Sequence, residues 1–168
     1  VPKEIFNKFE CICFHETDLP FGRGGSPIQN LISKGFDKTK ISALKMIQEL
    51  DAGPIYLKAN LSLEGLAEEI YIRSAKLVFE MIETIIVEKI KPKDQKGDAI
   101  IFKRRDPQQS LIPEKIDNLK ELFDFIRMLD AEGYPSAKLI YNNFIFEFER
   151  PALRTEKIEA TVQIRCNN

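Results

Sequence analysis

One histidine and three cysteines are all the imidazole and thiol ligands that this 168-residue sequence offers, and it has no tryptophan. These four residues do not fall into the paired Cys/His spacing of a structural zinc site. Cys11 and Cys13 stand two apart in a predicted strand, where their side chains leave opposite faces, so they do not bridge each other. Such sparse, unpaired cysteine points to a reducing compartment, and the cytoplasm is the expected location. No run approaches the roughly 18 to 20 apolar residues of a membrane span, and no secretory signal is visible. Excess charge is missing as well: 25 Lys and Arg stand against 26 Asp and Glu, a net charge of −1. Without a basic field the chain does not read as a dedicated polyanion-binding module. Internal repeats and low-complexity tracts are also absent.

What is there is an ordinary globular balance, 43% hydrophobic and 30% charged, at a length that suits one domain or one domain with an appendage. A short helix is hinted within residues 1–8 and a buried strand over 9–14. A loop follows over 15–25, whose Gly22, Gly24 and Gly25 argue against any regular element. Ser26 is the expected N-cap of a helix over 26–33, with Pro27 at its first position and Gly35 as its C-cap. Strands are predicted over 40–47 and 55–63, paired as a hairpin around a 49–54 turn whose Gly53–Pro54 pair stops either regular form. The second strand alternates Ile55, Leu57, Ala59, Leu61 and Leu63 against Tyr56, Lys58, Asn60 and Ser62. A long amphipathic helix over 67–90 aligns Ile70, Leu77, Met81 and Ile85, widened by Val78, Ile82 and Ile86.

Residues 93–97 are the expected boundary. Beyond them come a short strand over 99–103 and a helix over 119–129 opened by an Asn118–Glu121 capping box. Hairpin strands over 137–141 and 144–149 flank Asn142–Asn143, and a last strand covers 157–164. Phe144–Phe148 reads as the core of this appendage, with Glu147 and Glu149 outward. The chain opens without Met and enters its first strand almost at once, which predicts that the start of a domain precedes it.

Chemistry concentrates in residues 9–27. An apolar run delivers His15 to the end of a strand, beside a flexible Phe21-Gly22-Arg23-Gly24-Gly25 loop and a helix start, the usual place for a site in an open α/β sheet. The natural partner for the imidazole is Asp51, at the turn between the next two strands. A carboxylate beside an imidazole fixes its tautomer and suits it to general acid–base work. Taken singly, each has an ordinary reading, His15 as a surface or capping residue and Asp51 as a turn former. Arg23 reads equally as an anion ligand or an exposed loop arginine. Arg104–Arg105 reads as solvated surface, with a phosphate contact as the other option.

The spacing of these residues resembles a known family. Residues 10–57 are similar to the catalytic core of the formyltransferases that use 10-formyltetrahydrofolate, the superfamily of methionyl-tRNA formyltransferase. That family's Asn-x-His-x-Ser-Leu-Leu-Pro stands here as Cys13-Phe14-His15-Glu16-Thr17-Asp18-Leu19-Pro20. Its Arg-Gly-x-x-Pro is Arg23-Gly24-Gly25-Ser26-Pro27, its Thr-Gly-Val-Thr is Thr39-Lys40-Ile41-Ser42, and its Leu-Asp-x-Gly is Leu50-Asp51-Ala52-Gly53. Phe125-Ile126-Arg127 and Gly133-Tyr134-Pro135-Ser136-Ala137 resemble its later Ile-Arg-Ala and Pro-Gly-Ala segments.

The resemblance implies an α/β fold: a partial Rossmann-like formyltransferase sheet with flanking helices, then a small β-rich C-terminal subdomain. Residues 1–95 would be the later portion of the catalytic domain, and 96–168 the linker helix and subdomain. It implies formyl transfer from 10-formyltetrahydrofolate to a primary amine, on an amino sugar nucleotide or methionyl-tRNA, with no metal. His15 would stabilise the oxyanion or move the proton, and Asp51 would orient His15. Thr17, Asp18, Leu19 and Pro20 would line the folate, and Arg23 and Gly24 would face the substrate. Cys13 occupies the family's catalytic asparagine, where a thiol is a weaker donor. A formyltransferase-like binding or assembly subunit is therefore the alternative expectation. Partners would be the folate donor, the amine acceptor with tRNA among the candidates, and either a further copy of the chain or a preceding segment that completes the domain; no membrane is implied.

Overall fold

The structure, a computed structural model, describes residues 1–167. In chain order its elements are α1 (Lys3–Phe6), β1 (Ile12–His15), β2 (Phe21–Gly24), α2 (Pro27–Ile32), β3 (Lys38–Lys45), β4 (Ile55–Ser62), α3 (Ala67–Glu88), β5 (Ile100–Phe102), α4 (Leu119–Arg127), β6 (Ala137–Tyr141), β7 (Phe144–Leu153) and β8 (Ile158–Cys166). It is a mixed α/β fold with a small β-rich C-terminal part. Among the described residues no helix is long and apolar enough to cross a membrane.

The sheet that carries the site has the order β1-β3-β4 and is antiparallel throughout. Its central strand β3 buries Ile41, Ser42, Ala43 and Leu44 in succession, because a strand flanked on both edges and both faces has no wet side. The pairing sets His15 opposite Ser42 and Cys13 opposite Leu44. On the other edge, Ala43 faces Leu57 while Leu44 faces Ile55, so Tyr56 lies in a bulge. That bulge overturns the expected alternation: Tyr56 is buried, and its hydroxyl donates to the Glu10 carboxylate. Burial first, and then that carboxylate, push the Tyr56 phenol well above its ordinary range.

The glycine loop holds a regular element, contrary to expectation. Phe21–Gly24 forms β2, paired in parallel with β5, and the two lie more than seventy residues apart in sequence. The pairing is made possible by Gly24 (φ +109°), where an added Cβ would lie 2.2 Å from the Phe102 carbonyl oxygen. Ser26 precedes α2, but not as the expected side-chain cap: its φ is +51°, and its Oγ accepts from the Arg105 N–H at 3.1 Å.

Helix α3 packs Ala67, Ile70, Ser74, Met81 and Ile85 inward and has Lys89 in the left-handed region at its end. Its buried stripe is narrower than the sequence pattern, for Ile82 and Ile86 are exposed alongside Ile72, Phe79 and Val87. Helix α4 is capped by Asn118, whose Oδ1 accepts from the Glu121 N–H at 2.9 Å. Sheet β6-β7-β8 follows, with Asn142 at φ +52° in its first turn. Phe144 at its tip is exposed, so this strand's core lies at Ile145 and toward Phe148. Glu147 bridges Lys138 and Arg165.

Candidate functional site

Beyond the end of β1 the chain folds back over the sheet edge. Ser42 Oγ on β3 donates to the Thr17 carbonyl at 2.7 Å and accepts from the Leu19 N–H at 3.3 Å, which fixes the turn after His15. Thr17 and Leu19 point inward and are almost fully buried. The Leu19–Pro20 peptide is cis. Asp18 faces outward to Lys58 and to Lys40, the latter at 2.9 Å. Partial burial would raise the Asp18 carboxyl, but the hydrogen bonds and charge of Lys58 and then Lys40 hold it below the usual carboxylate range. Asp18 also lines a cavity of about 400 Å³ with Phe21, Phe36, Lys38 and Lys40.

His15 and Asp51 come together as their spacing suggests. His15 Nδ1 lies 3.7 Å from Asp51 Oδ2, and both side chains are more than nine-tenths buried. His15 Nε2 donates to the Gly22 carbonyl at 2.8 Å. A carbonyl only accepts, so Nε2 carries a proton in this arrangement, and Nδ1 is the nitrogen turned to the carboxylate. The Gly24 N–H donates to Asp51 Oδ2 at 2.9 Å and holds that oxygen toward the ring. Asp51 itself sits at φ +52°, an unusual conformation for a residue with a Cβ. The turn is tight behind it: a Cβ at Gly53 would lie 1.8 Å from the Lys45 carbonyl oxygen.

Cys13 is half-buried two residues upstream. Burial, and then the negative charges of Asp51 and Glu16, push its thiol up. Among the described residues it is a free cysteine, as are Cys11 and Cys166. Glu16 is the residue whose involvement no sequence signal marked. Its carboxyl accepts weakly from Ser74 Oγ of α3 at 3.4 Å. Burial raises it above the ordinary carboxylate value, while its own backbone, the nearby His15 ring and Ser74 pull the other way.

Arg23 is also engaged. Its Nε and Nη2 donate to Gln95 Oε1 at 3.2 and 2.8 Å, and its Nη1 reaches Glu49 at 3.2 Å. Gln95 was legible only as part of the polar 93–97 stretch. Arg105 stacks over the Phe125 ring at 5.7 Å, and burial lowers its guanidinium from the ordinary arginine value, so it is not simply solvated surface.

Comparison with known proteins gives this geometry a context. The family model for the C-terminal domain of methionyl-tRNA formyltransferase matches residues 107–165. The solved methionyl-tRNA formyltransferase from Clostridium thermocellum is 49% identical, with a TM-score of 0.96 over 98% of this chain and 73% of that one. The curated methionyl-tRNA formyltransferases of Bacillus velezensis and Bacillus subtilis are 29% and 30% identical over 96% and 77% of this chain. The chain spans about half the length of these curated relatives, 54% and 44% respectively. At the level of fold alone, it also resembles HypX from Aquifex aeolicus solved with tetrahydrofolic acid, at 17% identity and a TM-score of 0.71.

Proposed function

Because the chain belongs to the methionyl-tRNA formyltransferase family, we propose that it supplies the His15/Asp51 part of a site that moves a formyl group from 10-formyltetrahydrofolate to the amine of methionyl-tRNA. The observation that carries this reading is the buried His15–Asp51 pair at the end of β1, with Asp51 Oδ2 held by the Gly24 N–H. The donor set suits a formyl donor: an imidazole N–H for a developing oxyanion and a fixed carboxylate behind it.

In the transfer the amine nitrogen forms a bond to the formyl carbon, and the C–N10 bond of the folate then breaks. His15 Nε2 releases the Gly22 carbonyl and donates to the oxygen that gains charge. Asp51 balances the ring when it holds both protons. As the C–N10 bond breaks, the doubly protonated ring gives its Nε2 proton to N10, and the surplus proton of the amine then reloads Nε2. Thr17 to Pro20 shape the wall beside the donor, with Asp18 held to Lys58 and Lys40, and Arg23 and Gly24 belong to the acceptor side.

A second reading rests on Cys13. A thiol is a poor replacement for an amide donor, and losing one good oxyanion donor costs about 10²–10³ in rate. In that reading the chain binds folate or acceptor and transfers little. Assay of the protein with 10-formyltetrahydrofolate and methionyl-tRNA, and in parallel with an amino sugar nucleotide, separates the two. Formyl transfer that disappears in His15→Ala supports the enzyme. Turnover equal to that of His15→Ala, with folate still bound, supports the binding subunit. Cys13→Asn is expected to raise a slow enzyme about tenfold or more.

A further inference from the structure

We propose that Gln95 is a positioning residue of this site, one that sets Asp51 against His15 by clamping the turn from behind. The inference rests on reading His15 and Asp51 as the catalytic pair. One amide serves both sides of the site. Its Nε2 donates to the Asp51 carbonyl at 2.8 Å and to the Gly53 carbonyl at 2.9 Å. Its Oε1 accepts from Arg23 Nε and Nη2. The first pair of bonds holds the backbone of the residue that faces His15. The second holds the strand whose Gly24 N–H binds the Asp51 carboxylate and whose Gly22 carbonyl receives His15 Nε2.

The turn needs such a clamp. Asp51 is in the left-handed region, which is unfavourable for a residue with a Cβ and persists only where its surroundings enforce it. Gln95 is itself fixed close by, since Lys93 and Ile55 exchange backbone hydrogen bonds at 2.7 and 2.9 Å. Glutamine fits because one planar group offers two donors and an acceptor at once. Glutamate keeps the acceptor for Arg23 but turns an oxygen toward two carbonyls. Alanine removes all four bonds.

The single histidine makes the test direct, for one ring gives one set of imidazole signals. In Gln95→Glu and Gln95→Ala the ¹⁵N shifts of His15 and their pH dependence are expected to move away from those of the wild type. Turnover is expected to fall ten- to a hundredfold in kcat, with KM for donor and acceptor within about twofold. A purely structural glutamine would lower the melting temperature and leave the ring signals of the folded fraction in place. His15 signals superimposable on wild type in both variants overturn the proposal, whatever the turnover. If the wild type transfers no formyl group but the ring responds in both variants, the positioning role stands and the formyltransferase reading falls. Should Gln95→Glu fail to fold, Gln95→Ala decides by the same signals.

Discussion

Burial favours the protonated form of both Cys13 and Glu16, the two titratable neighbours of His15 along the chain. The Cys13 thiol is held against ionisation, mainly by burial and then by Asp51 and Glu16. A thiolate is the reactive form, so Cys13 is expected to react with a disulfide reagent at neutral pH at least tenfold more slowly than exposed Cys166. Equal rates, followed by mass spectrometry of the labelled peptides, would refute the buried thiol. Glu16 binds its proton more tightly in the folded chain than its ordinary value of 4.5 allows. A raised folded value means that the folded state holds more protons than the unfolded chain just above that pH, so this residue's contribution falls as pH rises through the window. Glu16→Gln should therefore raise the melting temperature at pH 8 relative to wild type and change it little at pH 4, as read by calorimetry. His15 and Asp51 were legible because a single imidazole and a turn aspartate sit at motif spacing. Gln95 and Glu16 were not, because what singles them out is contacts reaching across 44, 72 and 58 residues.

Elements were legible where periodicity rules and illegible where a backbone approach does. The pairing of β3 with β4 and helix α3 follow from apolar spacing. Strand β2 does not, because its glycines read as a loop until a partner 79 residues away is in place beside Phe21. At Gly24 and Gly53 the backbone of another strand occupies the space of a side chain. Gly53→Ala is expected to destabilise the fold by about 1–3 kcal/mol and to displace the Asp51 turn, which urea unfolding and the His15 ring signals would report separately. Unchanged stability in that variant would mean that β3 yields to the added methyl group. The bulge at Tyr56 is the same lesson in reverse: one extra residue moved a polar position of the pattern into the core.

At the scale of the whole molecule, Arg127 fastens α4 to the chain that leads into α3. Its Nε donates to Asp124 at 2.6 Å, and its Nη1 donates to the Leu63 and Gly65 carbonyls at 2.6 and 2.8 Å. The side chain is buried, so removing it leaves the Asp124 carboxylate with Lys120 alone and strands two carbonyls. Arg127→Ala is expected to cost about 2–4 kcal/mol in denaturant unfolding, and Asp124→Leu combined with Arg127→Met should recover only the carboxylate's share, since the Leu63 and Gly65 carbonyls stay without a donor. A cost under 1 kcal/mol for the single variant would remove Arg127 from this role. The sequence hinted at it only through its place in a motif, since neither burial nor a carbonyl partner 64 residues away leaves a local mark.

The pairing of β2 with β5 has a consequence for the stretch expected to divide the chain. Residues 93–102 run back to the end of the sheet that holds His15 and Asp51, through the Lys93–Ile55 bridge, Gln95 and the strand beside Gly24. A protease cut just after Phe102 would therefore not release two independent modules. The nicked halves would remain interlocked and co-purify, and a gene split at that point would yield a folded protein only when both pieces are made together.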